Sequence, residues 1–139
     1  MSKVGTANRQ VRKRRQKRTV DEDPVRERLQ PGQLRSTQLR ALIEDLQFQV
    51  SLLATVGGVS EQTIRNWRTE RDGGVLPEHL DDVRAIALRM VTAKQLPAKR
   101  IGPWFSERNL SLENDSRPLT MIAENRFEDV LEASREAWV

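Results

Sequence analysis

The sequence predicts an all-α protein, in which a disordered basic tail precedes a helix-turn-helix and a small helical domain. Apolar side chains recur at helical spacing in several segments after residue 36, and a glycine-containing turn separates two short helices within residues 50–70. Residues 1–35 carry a net charge of +7 and few apolar side chains, so we expect them to be disordered. The predicted divisions are residues 1–35 for the tail, 36–96 for the helix-turn-helix domain and 97–139 for the C-terminal domain.

Residues 50–70 are the centre of this prediction, because they fit two short helices joined by a turn at Gly58. Ser60 stands where the N-cap of the second helix is expected. Ile64 and Trp67 lie three positions apart, so both are expected to face a small core. A small side chain at Ala54 lets the two helices approach closely. The predicted structural core of the motif is Ala54, Gly58, Ile64 and Trp67.

The opposite face of the second helix carries polar side chains, turned away from the core by steps of roughly 100° per residue. Arg, Asn and Gln suit the edges of bases because they make paired hydrogen bonds in the major groove. We therefore predict a recognition helix for double-stranded DNA, with an ordinary αα-hairpin as the alternative. The predicted base-reading residues are Gln62, Arg65, Asn66 and Thr69. The predicted phosphate contacts beside them are Thr63, Arg68 and Arg71.

The basic tail is predicted to contact the DNA backbone through Arg12, Lys13, Arg14 and Arg15. Each phosphate it neutralises would release counterions and steepen the salt dependence of binding without reading sequence. The alternative is a solvated tail with no specific target. The net charge falls to +1 over residues 36–100 and to −4 over residues 101–139, which suggests different partners at the two ends of the chain.

Two more helices are predicted to flank the motif. The first has Ser36 or Thr37 as its cap, and the second has Pro77 as its first residue. The buried stripe of the first is Leu39, Leu42, Ile43 and Leu46, and Phe48 fills the corner that follows. The wet side of the second is Glu78, Asp81, Asp82 and Arg84.

The C-terminal domain is expected to form around two large apolar side chains, Trp104 and Phe105. Pro103 and Pro118 each fit the first turn of a helix, and a last helix is expected from about Arg126. Trp138 near the C-terminus either folds back on the core or docks into a partner. The predicted core here is Trp104, Phe105, Pro118 and Leu119, surrounded by Leu110, Leu112 and Ile122.

The composition argues against several classes of protein. The chain has no apolar run near 18 residues and no hydrophobic segment of a signal peptide, so we expect no membrane span and a cytoplasmic location. It has no cysteine and one histidine, His79, which we expect to be an exposed surface residue. Few groups therefore remain for catalysis or metal binding. We expect no enzyme activity, no catalytic residues, no cofactor and no metal site.

These two signatures together resemble the Xre/MbcA/ParS antitoxin family, over residues 36–139. The first half resembles the helix-turn-helix of the family at Leu53, Ala54, Gly58, Val59, Ser60, Thr63, Ile64, Trp67 and Pro77. The second half resembles its toxin-binding domain at Trp104, Phe105, Asn109, Leu110, Arg117, Pro118 and Leu119. The family commonly has Leu where this chain has Phe105, and it usually keeps a glycine within the turn that is here Glu113, Asn114, Asp115 and Ser116.

The resemblance implies an antitoxin that neutralises a RES-type toxin, which degrades NAD, and that represses its own operon by binding operator DNA. It implies that residues 126–139 cover the toxin's active site, so the predicted toxin-binding residues are Arg126, Arg135, Trp138 and Val139. NAD would be the toxin's substrate. DNA readers of this kind usually act as homodimers. One alternative is a helix-turn-helix transcriptional regulator whose C-terminal half only dimerises, with no toxin partner; a small enzyme is another.

Overall fold

The computed structural model describes residues 22–137 except 72, 95, 110 and 111. The chain is helical and has no strand in this part, which confirms the all-α prediction. None of the helices described there is long and apolar enough to cross a membrane. The helices are α1 (Glu22–Arg28), α2 (Arg35–Arg40), α3 (Val50–Gly57), α4 (Glu61–Thr69), α5 (Glu78–Ala93), α6 (Ala98–Ser106), α7 (Pro118–Ala123) and α8 (Phe127–Ser134). A π-helical turn, Ala41–Asp45, continues α2, and a 3₁₀ turn, Glu113–Asp115, precedes α7.

The apolar core is continuous from α1 to α8. The long helix α5 lies at its centre. It packs against α1 and α3, which precede it in the chain, and against α6, α7 and α8, which follow it. Leu29, Leu53, Ile86, Phe105 and Val130 all lie in the same buried cluster. Residues of the two predicted domains, 36–96 and 97–139, therefore share one core. The domain boundary at residues 96–97 stays a prediction.

The predicted disordered tail is too long, because its end is folded. Residues 22–28 form α1, and Val25 and Leu29 are buried against the core. The backbone carbonyl of Leu29 also accepts a hydrogen bond of 2.7 Å from Nη1 of Arg84 on α5. Two apolar residues four apart are a weak local signal, and the helix is stabilised by tertiary contacts that only the folded chain supplies. Residues 1–21 lie outside the described part.

Arg84 was predicted on the wet side of α5, and this prediction is wrong. Its residue surface is only 5% exposed. The guanidinium donates to the Leu29 carbonyl and, through Nε, to Oδ1 of Asp81 at 2.7 Å. A buried guanidinium needs acceptors for its N–H donors, and the Asp81 carboxylate and the Leu29 carbonyl each provide one. Arg84 therefore joins α1 to α5.

The stripe Leu39, Leu42 and Leu46 is buried as predicted, and Ile43 is half-buried. The cap was placed wrongly, because Leu34 is at the N-cap position and α2 begins at Arg35. Ser36 lies inside the helix and is buried. Phe48 is also buried, and its ring lies 5.0 Å from the ring of Phe105, so it fills the corner between the two halves of the chain.

The three prolines expected at helix starts behave differently. Pro118 is the first residue of α7, as predicted, and Pro77 is one position earlier than predicted, at the N-cap of α5. Pro103 lies inside α6, so its assignment to a first turn is wrong. The residue before it, Gly102, donates its N–H to the carbonyl of Leu46 at 2.8 Å. This bond ties α6 to the end of the π-helical turn, which the sequence alone could not indicate.

Candidate nucleic-acid interface

Residues 50–69 form two short helices joined by a turn, as the predicted helix-turn-helix requires. Helices α3 and α4 are joined through Gly58, whose φ of 69° is the left-handed conformation that glycine adopts without steric cost. Ser60 is the N-cap of α4, and its Oγ accepts a hydrogen bond of 3.0 Å from the backbone N–H of Thr63. Gly58 was predicted to belong to the core of the motif, and this is wrong because it is exposed. Its contribution is to the conformation of the turn.

The inner face of the motif is built from Ala54 and Ile64, both of which are buried as predicted. Trp67 is half-buried instead of fully buried. The guanidinium of Arg35 lies over its ring, with Cζ 4.1 Å from the ring centroid, which is the geometry of a cation–π contact. A charged side chain therefore covers the surface of Trp67 that the apolar core leaves open.

The predicted base-reading side chains share the outer face of α4. Gln62, Arg65, Asn66 and Thr69 are all exposed there. Gln62 Nε2 donates to Asn66 Oδ1 at 2.9 Å, and Arg65 pairs with Glu61 at 3.1 Å, so both contacts join residues four apart on the helix. A base edge would have to replace these exposed contacts. The base-reading role itself stays a prediction.

The predicted phosphate contacts are less uniform. Arg71 is exposed and Arg68 is half-buried, and both lie at the C-terminal end of the motif. Thr63 is half-buried near the N-terminal end, where its hydroxyl is 2.9 Å from that of Ser60. The tail arginines and lysine, Arg12, Lys13, Arg14 and Arg15, lie outside the described residues.

Two arginines of α2 were not singled out by the sequence, yet they hold the far end of α4. Arg35 pairs with the carboxylate of Glu70 at 2.8 Å, and Nη1 of Arg40 donates to the carbonyl of Arg68 at 3.2 Å. The sequence gives no signal for these contacts, because the partners are 35 and 28 residues apart.

The predicted C-terminal core is formed. Phe105, Pro118 and Leu119 are buried, and the half-buried ring of Trp104 meets the Phe105 ring edge-on at 5.0 Å. The buried side chains of Leu112 and Ile122 belong to the same core, whereas Leu110 lies outside the described residues. In the turn that lacks the expected glycine, Asn114 adopts a φ of 59°. Asn tolerates this conformation better than most residues, so it replaces glycine there.

The predicted partner-binding residues are only partly described. Arg126 bridges Glu113 of the 3₁₀ turn and Asp129 of α8, at 2.7 and 2.6 Å. Its hydrogen bonds to Glu113 and then to Asp129 raise the pKa of Arg126 above the ordinary value. Arg135 is exposed and pairs with Glu132 at 2.9 Å. Trp138 and Val139 lie outside the described residues, so the assignment of this set to a partner stays a prediction.

His79, the single histidine, was predicted to be exposed and is half-buried, with Nε2 2.8 Å from Oδ1 of Asn125. No group of three His, Cys, Asp or Glu residues placed to hold a metal ion occurs in the described part of the chain.

The chain is 31% identical, over 83 residues, to a probable mycobacterial cidal antitoxin of Mycobacterium tuberculosis. The aligned residues are 59% of this chain and 69% of the relative. The chain belongs to the mycobacterial cidal antitoxin family. This confirms the antitoxin part of the predicted resemblance, whereas the Xre-type assignment of the helix-turn-helix stays a prediction. No protein-family model and no solved structure matches the chain.

In this protein, the two predicted sites lie on different elements. The exposed polar face belongs to α4, and the described partner candidates Arg126 and Arg135 are at the two ends of α8. Helices α3 and α4 pack against each other, whereas α8 packs against α5 and α7. A partner at α8 and a duplex at α4 would therefore use different surfaces.

Proposed function

We propose that this protein is the antitoxin of a type II toxin–antitoxin system and represses its own operon through α3 and α4. Its cognate toxin is of the RES type, degrades NAD, and is neutralised when the C-terminal segment covers the toxin's active site. The observation that carries the proposal is the similarity to a probable mycobacterial cidal antitoxin. The protein itself needs no cofactor in this scheme. Since operator DNA is in the cytoplasm, the proposal also places the protein there.

The DNA-binding part is supported by the shape and chemistry of α4. An α-helix with its side chains is about 10–12 Å across, which matches the width of the major groove of B-DNA. Its outer face presents an arginine and two amide side chains, the groups that recognise guanine and adenine edges. A homodimer would place two such helices one duplex turn apart on a palindromic operator.

The DNA-binding part is tested by titrating labelled DNA from upstream of the gene and a scrambled duplex of equal length with the protein. We expect the protein to prefer the upstream DNA. Asn66→Ala should lower that preference by roughly 1–3 kcal/mol, the value of one paired base contact. Arg89→Gln, at an exposed position on α5, is the control that removes a charge elsewhere. An unchanged preference in Asn66→Ala would remove Asn66 from the base-reading set.

The toxin-binding part is supported by the charge and exposure of the C-terminal region. Residues 101–139 carry a net charge of −4, which complements a basic cleft that binds a nucleotide. Arg135 is exposed at the end of α8, three residues before Trp138. Tryptophan is among the residues that most often anchor a contact with a protein partner.

This part is tested by co-purifying the tagged protein with the product of each neighbouring gene. Trp138→Ala should reduce the recovered toxin while the affinity for upstream DNA stays at the wild-type value. Equal loss of both activities would mean that Trp138 folds back on the core. If no neighbouring product is retained, the protein is a helix-turn-helix regulator whose C-terminal half only dimerises.

A further inference from the structure

The side chain of Arg35 contacts three residues at and just beyond the C-terminal end of α4. Its guanidinium lies over Trp67, donates to both oxygens of the Glu70 carboxylate at 2.8–3.1 Å, and donates through Nη1 to the carbonyl of Val75 at 3.2 Å. The side chain is only 13% exposed, and that of Glu70 is 23% exposed. A contact of this kind is protected from solvent and is stronger than an exposed ion pair.

A second arginine from α2 reaches the same end of α4. Nη1 of Arg40 donates to the backbone carbonyl of Arg68, in the last turn of the helix. The last four carbonyls of a helix have no partner within it, and a positive charge is favourable there because the helix dipole is negative at this end.

The end of α4 has no left-handed cap, and the N–H of its C-cap residue, Glu70, donates to the carbonyl of Trp67 at a long distance of 3.4 Å. Helix α3 closes through Gly58 in the left-handed conformation, whereas α4 closes at Glu70 in an extended conformation with φ −73° and ψ 154°. The loop that follows packs directly on Arg35. A methyl group added at Gly73 would lie 3.5 Å from Cβ of Arg35, and one added at Gly74 would lie 3.3 Å from its Nη1. The side chains of Arg35 and Arg40 therefore stabilise the C-terminal end of α4, as the turn at Gly58 stabilises the C-terminal end of α3.

We infer that Arg35 and Arg40 are positioning residues, which fix the C-terminal half of the recognition helix and thereby set the direction of its base-reading side chains. This inference rests on the proposed DNA binding. Ser60 fixes the start of α4 and the buried Ile64 fixes its middle. Beyond Ile64 the helix is held mainly through Trp67 and Glu70, both of which Arg35 contacts. Asn66 and Thr69 lie in this half of α4.

A direct contact between Arg35 and a phosphate is the competing explanation, and it has a different signature. A lost phosphate contact weakens specific and nonspecific binding alike and reduces the slope of log affinity against log salt by about one. Loss of a positioning residue lowers the preference for operator DNA and leaves both nonspecific affinity and salt slope near the wild-type values. The pairing of Arg35 with Glu70 and its low exposure favour the second outcome.

The experiment compares the wild-type protein with Arg35→Gln, Arg35→Lys and Arg40→Gln, using upstream and scrambled duplexes over a series of salt concentrations. Arg35→Gln should lower the affinity for upstream DNA by about fivefold or more, the discrimination carried by one paired base contact, and change the affinity for scrambled DNA less than twofold. Arg35→Lys should not restore the preference, because an ammonium group cannot pair with a carboxylate through two donors while stacking on an indole. Arg89→Gln is the control for loss of one charge.

Hydrogen exchange of the hydrogen-bonded backbone amides of Arg68, Thr69 and Glu70, at the end of α4, gives a readout that needs no DNA. Arg35→Gln should accelerate this exchange while the thermal midpoint stays above the assay temperature. If Arg35→Gln does not fold, Glu70→Gln replaces it, with the same expected direction and a smaller effect.

Each result decides between the two proposals. Unchanged exchange at the end of α4 overturns the inference whatever the protein does with DNA. An unchanged preference in Arg35→Gln, when Asn66→Ala loses it, also overturns the inference and leaves DNA binding intact. If the wild-type protein prefers neither duplex, the proposed DNA binding fails, and faster exchange would then show that the contact only stabilises the end of α4.

Discussion

Gly102 gives the sharpest prediction about the packing of the two halves of the chain. A methyl group at this position would lie 2.5 Å from the carbonyl oxygens of Leu46 and Gln47 and from the carbonyl carbon of Gln47. These are backbone atoms, so they cannot rotate away. The N–H of Gly102 also donates to the Leu46 carbonyl at 2.8 Å, and a shift of α6 would lengthen this bond. We therefore expect Gly102→Ala to be strongly destabilising.

The magnitude follows from three terms. Overpacking costs ~1–3 kcal/mol, and the upper value applies because the opposing atoms are fixed. A weakened backbone hydrogen bond adds ~0.5–1.5 kcal/mol. Alanine is the better helix former by ~1 kcal/mol, which acts in the opposite direction. The net loss in the free energy of unfolding is then about 3 kcal/mol, or a fall in thermal midpoint of roughly 10–15 °C for a chain of this size.

The assay is thermal unfolding followed by circular dichroism, with Gly57→Ala as the matched control. Gly57 is also helical, but a methyl group there would meet side-chain atoms, Cδ1 and Cγ of the buried Leu80 at 2.8 and 3.1 Å, and a side chain shifts more easily than a backbone carbonyl. We expect Gly57→Ala to be destabilising by ~1 kcal/mol, which is less than the loss in Gly102→Ala. A Gly102→Ala midpoint at or above that of the wild type would refute the close approach of α6 to the π-helical turn.

Three other predictions test local features. Ser60→Ala should lower the free energy of unfolding by ~1 kcal/mol in denaturant titration, because it removes the cap on Thr63, and no change would exclude the cap. Burial, and then the charge of Glu78, raises the pKa of Asp82, so the folded protein holds this proton more tightly than the unfolded chain. Stability therefore falls as pH rises from 3.8 through the raised pKa, and Asp82→Asn should be stabilising at pH 7 but neutral in strong acid; a pH-independent difference would contradict this. Removing residues 1–18 should flatten the salt dependence of DNA binding while preserving sequence preference, and an unaltered slope would exclude the arm.

Local patterns in the sequence were sufficient for the elements whose stability depends on near neighbours. The spacing of Leu39, Leu42 and Leu46 predicted their burial, and Ser60 and Gly58 predicted the start of α4 and the turn before it. These signals act over one to seven residues, which is the range of helix periodicity and capping.

The features that sequence reasoning missed depend on contacts between distant segments. Arg84 is buried only because α1 presents the carbonyl of Leu29 to it, 55 residues earlier in the chain. Pro103 lies inside α6, and the glycine before it donates its N–H to the distant carbonyl of Leu46. Arg35 was counted as part of a disordered tail, although its role follows from Trp67 and Glu70. No local pattern encodes which distant partner such a side chain will meet.

The antitoxin proposal is tested most directly by survival of bacteria that express the neighbouring genes. Each open reading frame beside this gene is induced alone and then together with this protein. Colonies are counted, and cellular NAD is measured. The proposal predicts that one neighbour lowers NAD and kills when expressed alone, and that this protein restores both NAD and colony number. If no neighbour is toxic, or if a toxic neighbour is not rescued, the antitoxin proposal is contradicted.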